Sequence, residues 1–162
     1  RRAFLVTLSL GNAVLEVLHT GNFHELDYFY GLEKTNNQLT NFCQRILHKH
    51  HSAKEDMFRY VILWNLEKVA DDYKYICTLL KENKIPPEII EIYKQVNTLL
   101  ESYYNLFYKF DINQLNELSI QGTELINKIK STQENRLLTN YLLSLTLKIQ
   151  DFSSSIIALN HN

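Results

Sequence analysis

The chain has 162 residues, with 17 Lys and Arg against 18 Asp and Glu, a formal charge of −1, and 45% apolar residues. That length suits one domain, or two small ones sharing a core, and the apolar content excludes a disordered chain. The near-neutral charge speaks against nucleic-acid binding, which needs a basic surface to displace counterions.

Breakers are scarce. There are four Gly and two Pro in the chain, against average usage of about 7% and 5%. Sheet proteins need frequent Gly/Pro turns, so this shortage predicts an all-α fold. The chain opens on Arg1-Arg2 without Met and enters a helical pattern at once, as expected of part of a longer reading frame or of a processed product. No uninterrupted apolar run nears the roughly 18 residues of a spanning helix. The longest candidate, Tyr60 to Trp64, runs into Asn65 and Glu67, so neither a spanning helix nor a signal peptide is expected.

Apolar residues recur every three or four positions and predict six helices. Helix one carries Phe4, Leu8, Leu15 and Leu18 and stops near Gly21-Asn22, a typical helix end. Helix two runs from about His24 to Lys49, with Leu26, Phe29, Leu39, Cys43 and Ile46 inward; His48 to Lys54 form a loop. Helix three runs from about Glu55 to Glu82, before Asn83, Lys84 and the dipeptide Pro86-Pro87. Pro suits the first turn of a new helix. Helix four then shows Ile89, Tyr93, Val96, Leu100, Tyr103, Phe107 and Phe110 in a regular seam. Asp111 can cap helix five, with Leu115, Leu118, Leu125 and Ile129 inward, and Ser131 to Glu134 turn the chain. Helix six follows with Leu138, Leu142, Leu145, Ile149, Phe152, Ile156 and Leu159.

The second three helices repeat the first. Shifting helix three onto helix six matches Lys68 with Lys148, Val69 with Ile149, Asp71 with Asp151 and Ile76 with Ile156. An internal duplication follows, with two tandem antiparallel three-helix bundles over residues 1–83 and 84–162. Cys43 and Cys77 fall inside helical patterns and form no disulfide framework, which fits a reducing cytosol.

The repeat is uneven. Helix two puts Glu33 and Asn36 where its heptad calls for apolar residues, while the second half keeps an apolar seam. Helix three carries two polar stripes, one of Glu67, Asp71 and Lys74 and one of Asn65, Lys68 and Asp72. One is the solvated face; the other needs a reason. Glu67 and Asp71 are like charges at i and i+4, a mildly unfavourable pair. Two readings stay open at this point. Lys68 and Lys74 can screen the pair on an ordinary surface, or two carboxylates one turn apart can hold a metal.

Other motifs are weaker. His48, His50 and His51 cluster in a loop and read as solvated more readily than as a metal site. Glu16-x-x-His19 has the spacing of a di-iron half-site but has no second copy. There is no phosphate-binding Gly loop, no G-x-S-x-G and no C-x-x-C, and no enzyme is expected. Tyr and Phe sit mostly at seam spacing, as core residues do.

Leu66-Glu67-Lys68-Val69-Ala70-Asp71, followed by Tyr73 and Ile76, resembles the signature helix of the phosphate-uptake regulator family, the PhoU-like proteins. With Asn41 to Leu47 before it, the segment from Trp64 to Cys77 is most similar to the archaeal branch. The resemblance implies tandem three-helix bundles over essentially the whole chain. It implies a cytoplasmic negative regulator of phosphate import that docks on the ATPase subunit of the phosphate ABC transporter, with a sensor kinase as a further partner; a homo-oligomer is compatible with it. It also implies divalent or multinuclear metal, iron or zinc, with Glu67 and Asp71 as ligands and Glu33 of the neighbouring helix as a third. The second half departs from the pattern, because Leu147 stands at the position equivalent to Glu67 and only Asp151 remains. A second metal site is therefore expected to be degenerate. Some archaeal relatives carry an amino-terminal DNA-binding domain, and the Arg1-Arg2 start would fit its removal.

Overall fold

Gly21 ends the first helix, α1 (Arg2–Thr20), as its sequence position requires. Its φ of 66° is left-handed, and its N–H reaches the Val17 carbonyl at 2.9 Å. The arrangement comes from a computed structural model that describes residues 1–21, 26–49, 55–80 and 85–160. Among these, every regular element is helical: α2 (Leu26–Lys49), α3 (Glu55–Leu80), α4 (Pro87–Tyr108), α5 (Ile112–Ser131), α6 (Arg136–Gln150) and α7 (Phe152–Asn160). The start expected at His24, the inward side chain of Leu26, His50, His51 and the boundary at 83/84 lie outside the described residues.

Local chemistry sets the other ends. Pro87 opens α4 behind Pro86, whose extended backbone stands just outside the first turn. The Asp111 carboxylate accepts from the N–H groups of Asn113 (2.8 Å) and Gln114 (3.2 Å), capping α5. Asp111→Ala should cost about 1 kcal/mol, read as a lower urea midpoint with an unchanged denaturant slope. The sixth predicted helix is interrupted at Asp151, which separates α6 from α7. Nothing in the local sequence punctuates the chain there.

Helices α1, α2 and α3 pack on one another, α5 packs on both α4 and α6, and α4 also touches α6. The two sets meet where α1 lies along α4 and where α3 lies along α6 and α7. Both junctions join helices that are equivalent in the repeat. Each is antiparallel: Phe4 meets Tyr104 and Phe107 while Gly11 meets Tyr93, and Asp72 meets Lys148 while Tyr75 meets Tyr141. One apolar core runs through both sets, with Leu10, Val69, Ile76, Val96, Leu142, Ile149 and Ile156 fully buried. The repeat pairs Val69/Ile149 and Ile76/Ile156 are thus core positions in both halves.

Three expectations change. In α1 the deepest residues are Phe4, Thr7, Leu10, Gly11, Val14 and Val17, whereas Leu8, Leu15 and Leu18 are half-buried. In α2, Ile46 points outward, and the buried side includes Glu33, Asn36 and Thr40. Uninterrupted runs also understate hydropathy. Arg2–Thr20 (mean hydropathy 1.4) and Arg136–Asn160 (1.2) are long and apolar enough to cross a membrane by length and composition. In this fold both stretches bury one side against neighbouring helices, as core helices do.

Candidate functional site

Residues three and four apart share one side of a helix. Along α3 that rule puts Met57, Tyr60, Val61, Trp64, Glu67, Lys68, Asp71 and Tyr75 on its outer side. The opposite side, with Leu66, Val69, Tyr73, Ile76 and Cys77, is in the core. The amino-terminal part of this outer side is apolar and open, Met57 being 72% and Trp64 49% exposed. A cleft of about 380 Å³ adjoins it, lined by Leu47 and His48 of α2 and by Met57, Phe58 and Tyr60 of α3.

Charge occupies the middle of the face. Lys68 Nζ lies 3.0 Å from Asp71 Oδ2 and 3.8 Å from Glu67 Oε1. The same ammonium stands 5.9 Å above the Trp64 ring, a cation–π distance. The bond to Asp71 raises the Lys68 pKa above the usual lysine range, so the cation stays charged at neutral pH. At the far end Tyr75 stacks on Tyr141 of α6, centroids 5.3 Å apart.

Glu33 is engaged elsewhere. Its Oε1 accepts from Lys74 Nζ at 3.1 Å and from Asn37 Nδ2 at 2.9 Å. That contact ties α2 to α3 and raises the Lys74 pKa through the bond to Glu33. The structure therefore brings Glu67 and Asp71 together around Lys68 and gives Glu33 a different cation. Among the described residues, no three His, Cys, Asp or Glu side chains are grouped as a metal would need. Protein zinc sites use three or four protein ligands. The expected set of Glu67, Asp71 and Glu33 is not assembled as one donor group: Lys68 bridges Glu67 and Asp71, and Lys74 holds Glu33. Glu16 and His19 are both exposed on α1.

The second polar stripe of α3 also finds its reason. Asp72, 4% exposed, accepts from Lys148 Nζ at 2.7 Å and from Ser144 Oγ at 3.0 Å. It pins α3 to α6 across the junction of the two sets. Burial raises its pKa above the ordinary carboxyl value, although Lys148 and Ser144 pull the other way. The stripe signalled a packed polar contact; its partner on α6 was not legible.

Sequence reasoning missed the exposed apolar side chains Met57, Tyr60, Val61 and Trp64, because at seam spacing such residues look like core. No family model, no curated protein and no solved structure matches this chain.

Proposed function

We propose that the chain is a cytoplasmic, non-enzymatic regulator of phosphate uptake of the PhoU-like kind. It acts by docking the outer face of α3 on the ATPase subunit of the phosphate ABC transporter, with a sensor kinase as a second partner. Its resemblance to that family lies in Leu66 to Asp71, and the all-α plan of two sets of three helices agrees with it. The observation that carries the proposal is the outward aim of this segment. Glu67, Lys68 and Asp71, each a quarter to a third exposed, stand between the half-exposed rings of Trp64 and Tyr75. Aromatic anchors beside charges are the usual makings of an interface hot spot.

The test is direct binding of the purified transporter ATPase subunit. Trp64→Ala should weaken it at least tenfold, since hot-spot truncations cost about 2 kcal/mol or more. The double variant Glu67→Gln/Asp71→Asn should weaken it as well. Because these side chains are largely outside the core, the melting temperatures should stay close to wild type. Unchanged affinity in both variants would reject docking through this face.

Docking through α3 does not require a metal, because Lys68 already bridges the acidic pair and offsets one of its two charges. Elemental mass spectrometry separates the two forms of the proposal. Stoichiometric iron or zinc in the wild type, lost in Glu67→Gln/Asp71→Asn, would make the face a metal-bearing one. Its absence from both would leave a ligand-free docking scaffold.

A further inference from the structure

The start of α1, the close of α2, the start of α3 and the close of α4 meet at one end of the molecule. They leave a groove of about 270 Å³ between them. Its floor is apolar: Ala3, Phe4, Ile62 and Leu66 are each 5% exposed or less. The half-buried Cys43 thiol lines one wall. Among the described residues, the charged groups lining it are both cationic, Arg1 and Arg59. Both sit at the mouth. The Arg59 side chain is 53% exposed, and the Arg1 guanidinium lies 5.9 Å above the ring of Tyr108, a rim residue.

We propose that this groove binds a free fatty-acid carboxylate, its acyl chain on the apolar floor and its head group at Arg59 and Arg1. Size and charge select this occupant. The volume equals about nine waters at roughly 30 Å³ each, the bulk of one medium aliphatic chain. The floor alone would take any apolar chain, but two guanidinium groups without a lining carboxylate favour an anionic end. Asp56 takes one edge of Arg59 at 2.9 Å, and the remaining N–H groups of the fork stay available to a second acceptor. The Asp56 carboxylate also repels a second carboxylate at Arg59. The groove uses the inner side of α3, so it does not rest on docking at Trp64 and Tyr75.

Calorimetric titration of the full 162-residue chain with decanoate, kept below its micelle concentration, tests the site. Saturable one-to-one binding is expected, with decanol at least tenfold weaker. Arg59→Gln should weaken decanoate about tenfold, the worth of one charge-assisted hydrogen bond. Asp56→Asn should tighten it severalfold. Maleimide should modify Cys43 more slowly at saturation, while the buried Cys77 stays unreactive with or without ligand. Arg59 is half exposed and Asp56, 13% exposed, is no part of the apolar core; circular dichroism matching the wild type confirms that their variants fold. Absence of saturable binding would overturn the proposal. So would equal affinity for decanol and decanoate, or indifference to Arg59→Gln, since either would leave only an unselective apolar surface.

Discussion

Gly11→Ala is expected to destabilise the fold by about 3 kcal/mol, although alanine is the better helix former. A Cβ at this position would stand 2.7 Å from Tyr73 Oη, 2.8 Å from Asn97 Oδ1 and 2.9 Å from Tyr73 Cζ. Neither neighbour can move aside cheaply. Tyr73 is fully buried and donates to Asn97 Oδ1 at 2.7 Å, and Tyr93, also buried, donates to the Gly11 carbonyl at 3.0 Å. Burial pushes both phenol pKa values well up, so both hydroxyls remain donors. Overpacking a core costs about 1–3 kcal/mol. Forcing the Tyr73–Asn97 bond apart leaves buried polar groups unpaired, for about 1–3 kcal/mol more. The helix gain from Gly to Ala returns only about 1 kcal/mol. Urea denaturation measures the difference, and a fall in melting temperature of about 6–12 °C should accompany it. Adding Tyr73→Phe should make the pair less than additive by about 1 kcal/mol, because it removes the nearest clashing atom. A neutral Gly11→Ala would mean that α1, α3 and α4 do not cross this closely.

That crossing also shows why α1 was misregistered from sequence. Leucines surround this helix, so apolarity does not mark its buried side. The side is marked instead by Thr7 and Gly11, a small polar residue and a bare backbone, which a count of apolar side chains passes over. Thr7 satisfies itself by donating to the Ala3 carbonyl and accepting from Asn36 of α2. The second half was easier to read. Its predicted seam residues Ile89, Tyr93, Val96, Leu100, Tyr103, Leu138, Leu142, Leu145 and Ile149 are all buried. The break at Asp151 has no Gly or Pro behind it, so no local signal could announce it.

On the candidate face, sequence located the acidic pair and one of its screens. The spacing of Glu67, Lys68 and Asp71 within one turn makes their contact a local matter. Lys74 was different. Its stripe placed it beside Asp71, yet it crosses to Glu33, 41 positions away, and only the packing of α2 on α3 decides that choice. The same choice separates Glu33 from the pair. The polar seam itself was legible: Glu33 and Asn36, read as occupying apolar heptad positions, are 8% and 0% exposed.

Lys148→Met should cost far more than Asp72→Asn, even though both break the same ion pair. Removing the lysine leaves a carboxylate that is 4% exposed without its counter-charge. Stranding one member of a buried pair costs about 3–5 kcal/mol. Ser144 still donates to Asp72, and the lysine side chain is 29% exposed, so the lower end, about 3 kcal/mol, is expected at pH 7. Asp72→Asn removes the charge that burial opposes and should cost about 1 kcal/mol, the worth of a neutral hydrogen bond. The pH dependence fixes the cause. The Asp72 pKa is raised in the folded protein, chiefly by burial. A raised acid favours the folded state fully below its unfolded value, near 3.9. That advantage is lost as pH rises through the folded value. Without Lys148 the folded value rises further and the loss spans a wider window. The stability gap between Lys148→Met and the wild type should therefore narrow as pH falls from 7 towards 4, and adding Asp72→Asn to Lys148→Met should recover most of it at pH 7. Urea midpoints across that range measure both effects. A gap that stays constant with pH would assign the loss to the lysine's aliphatic packing on α3 instead of to the carboxylate it leaves behind.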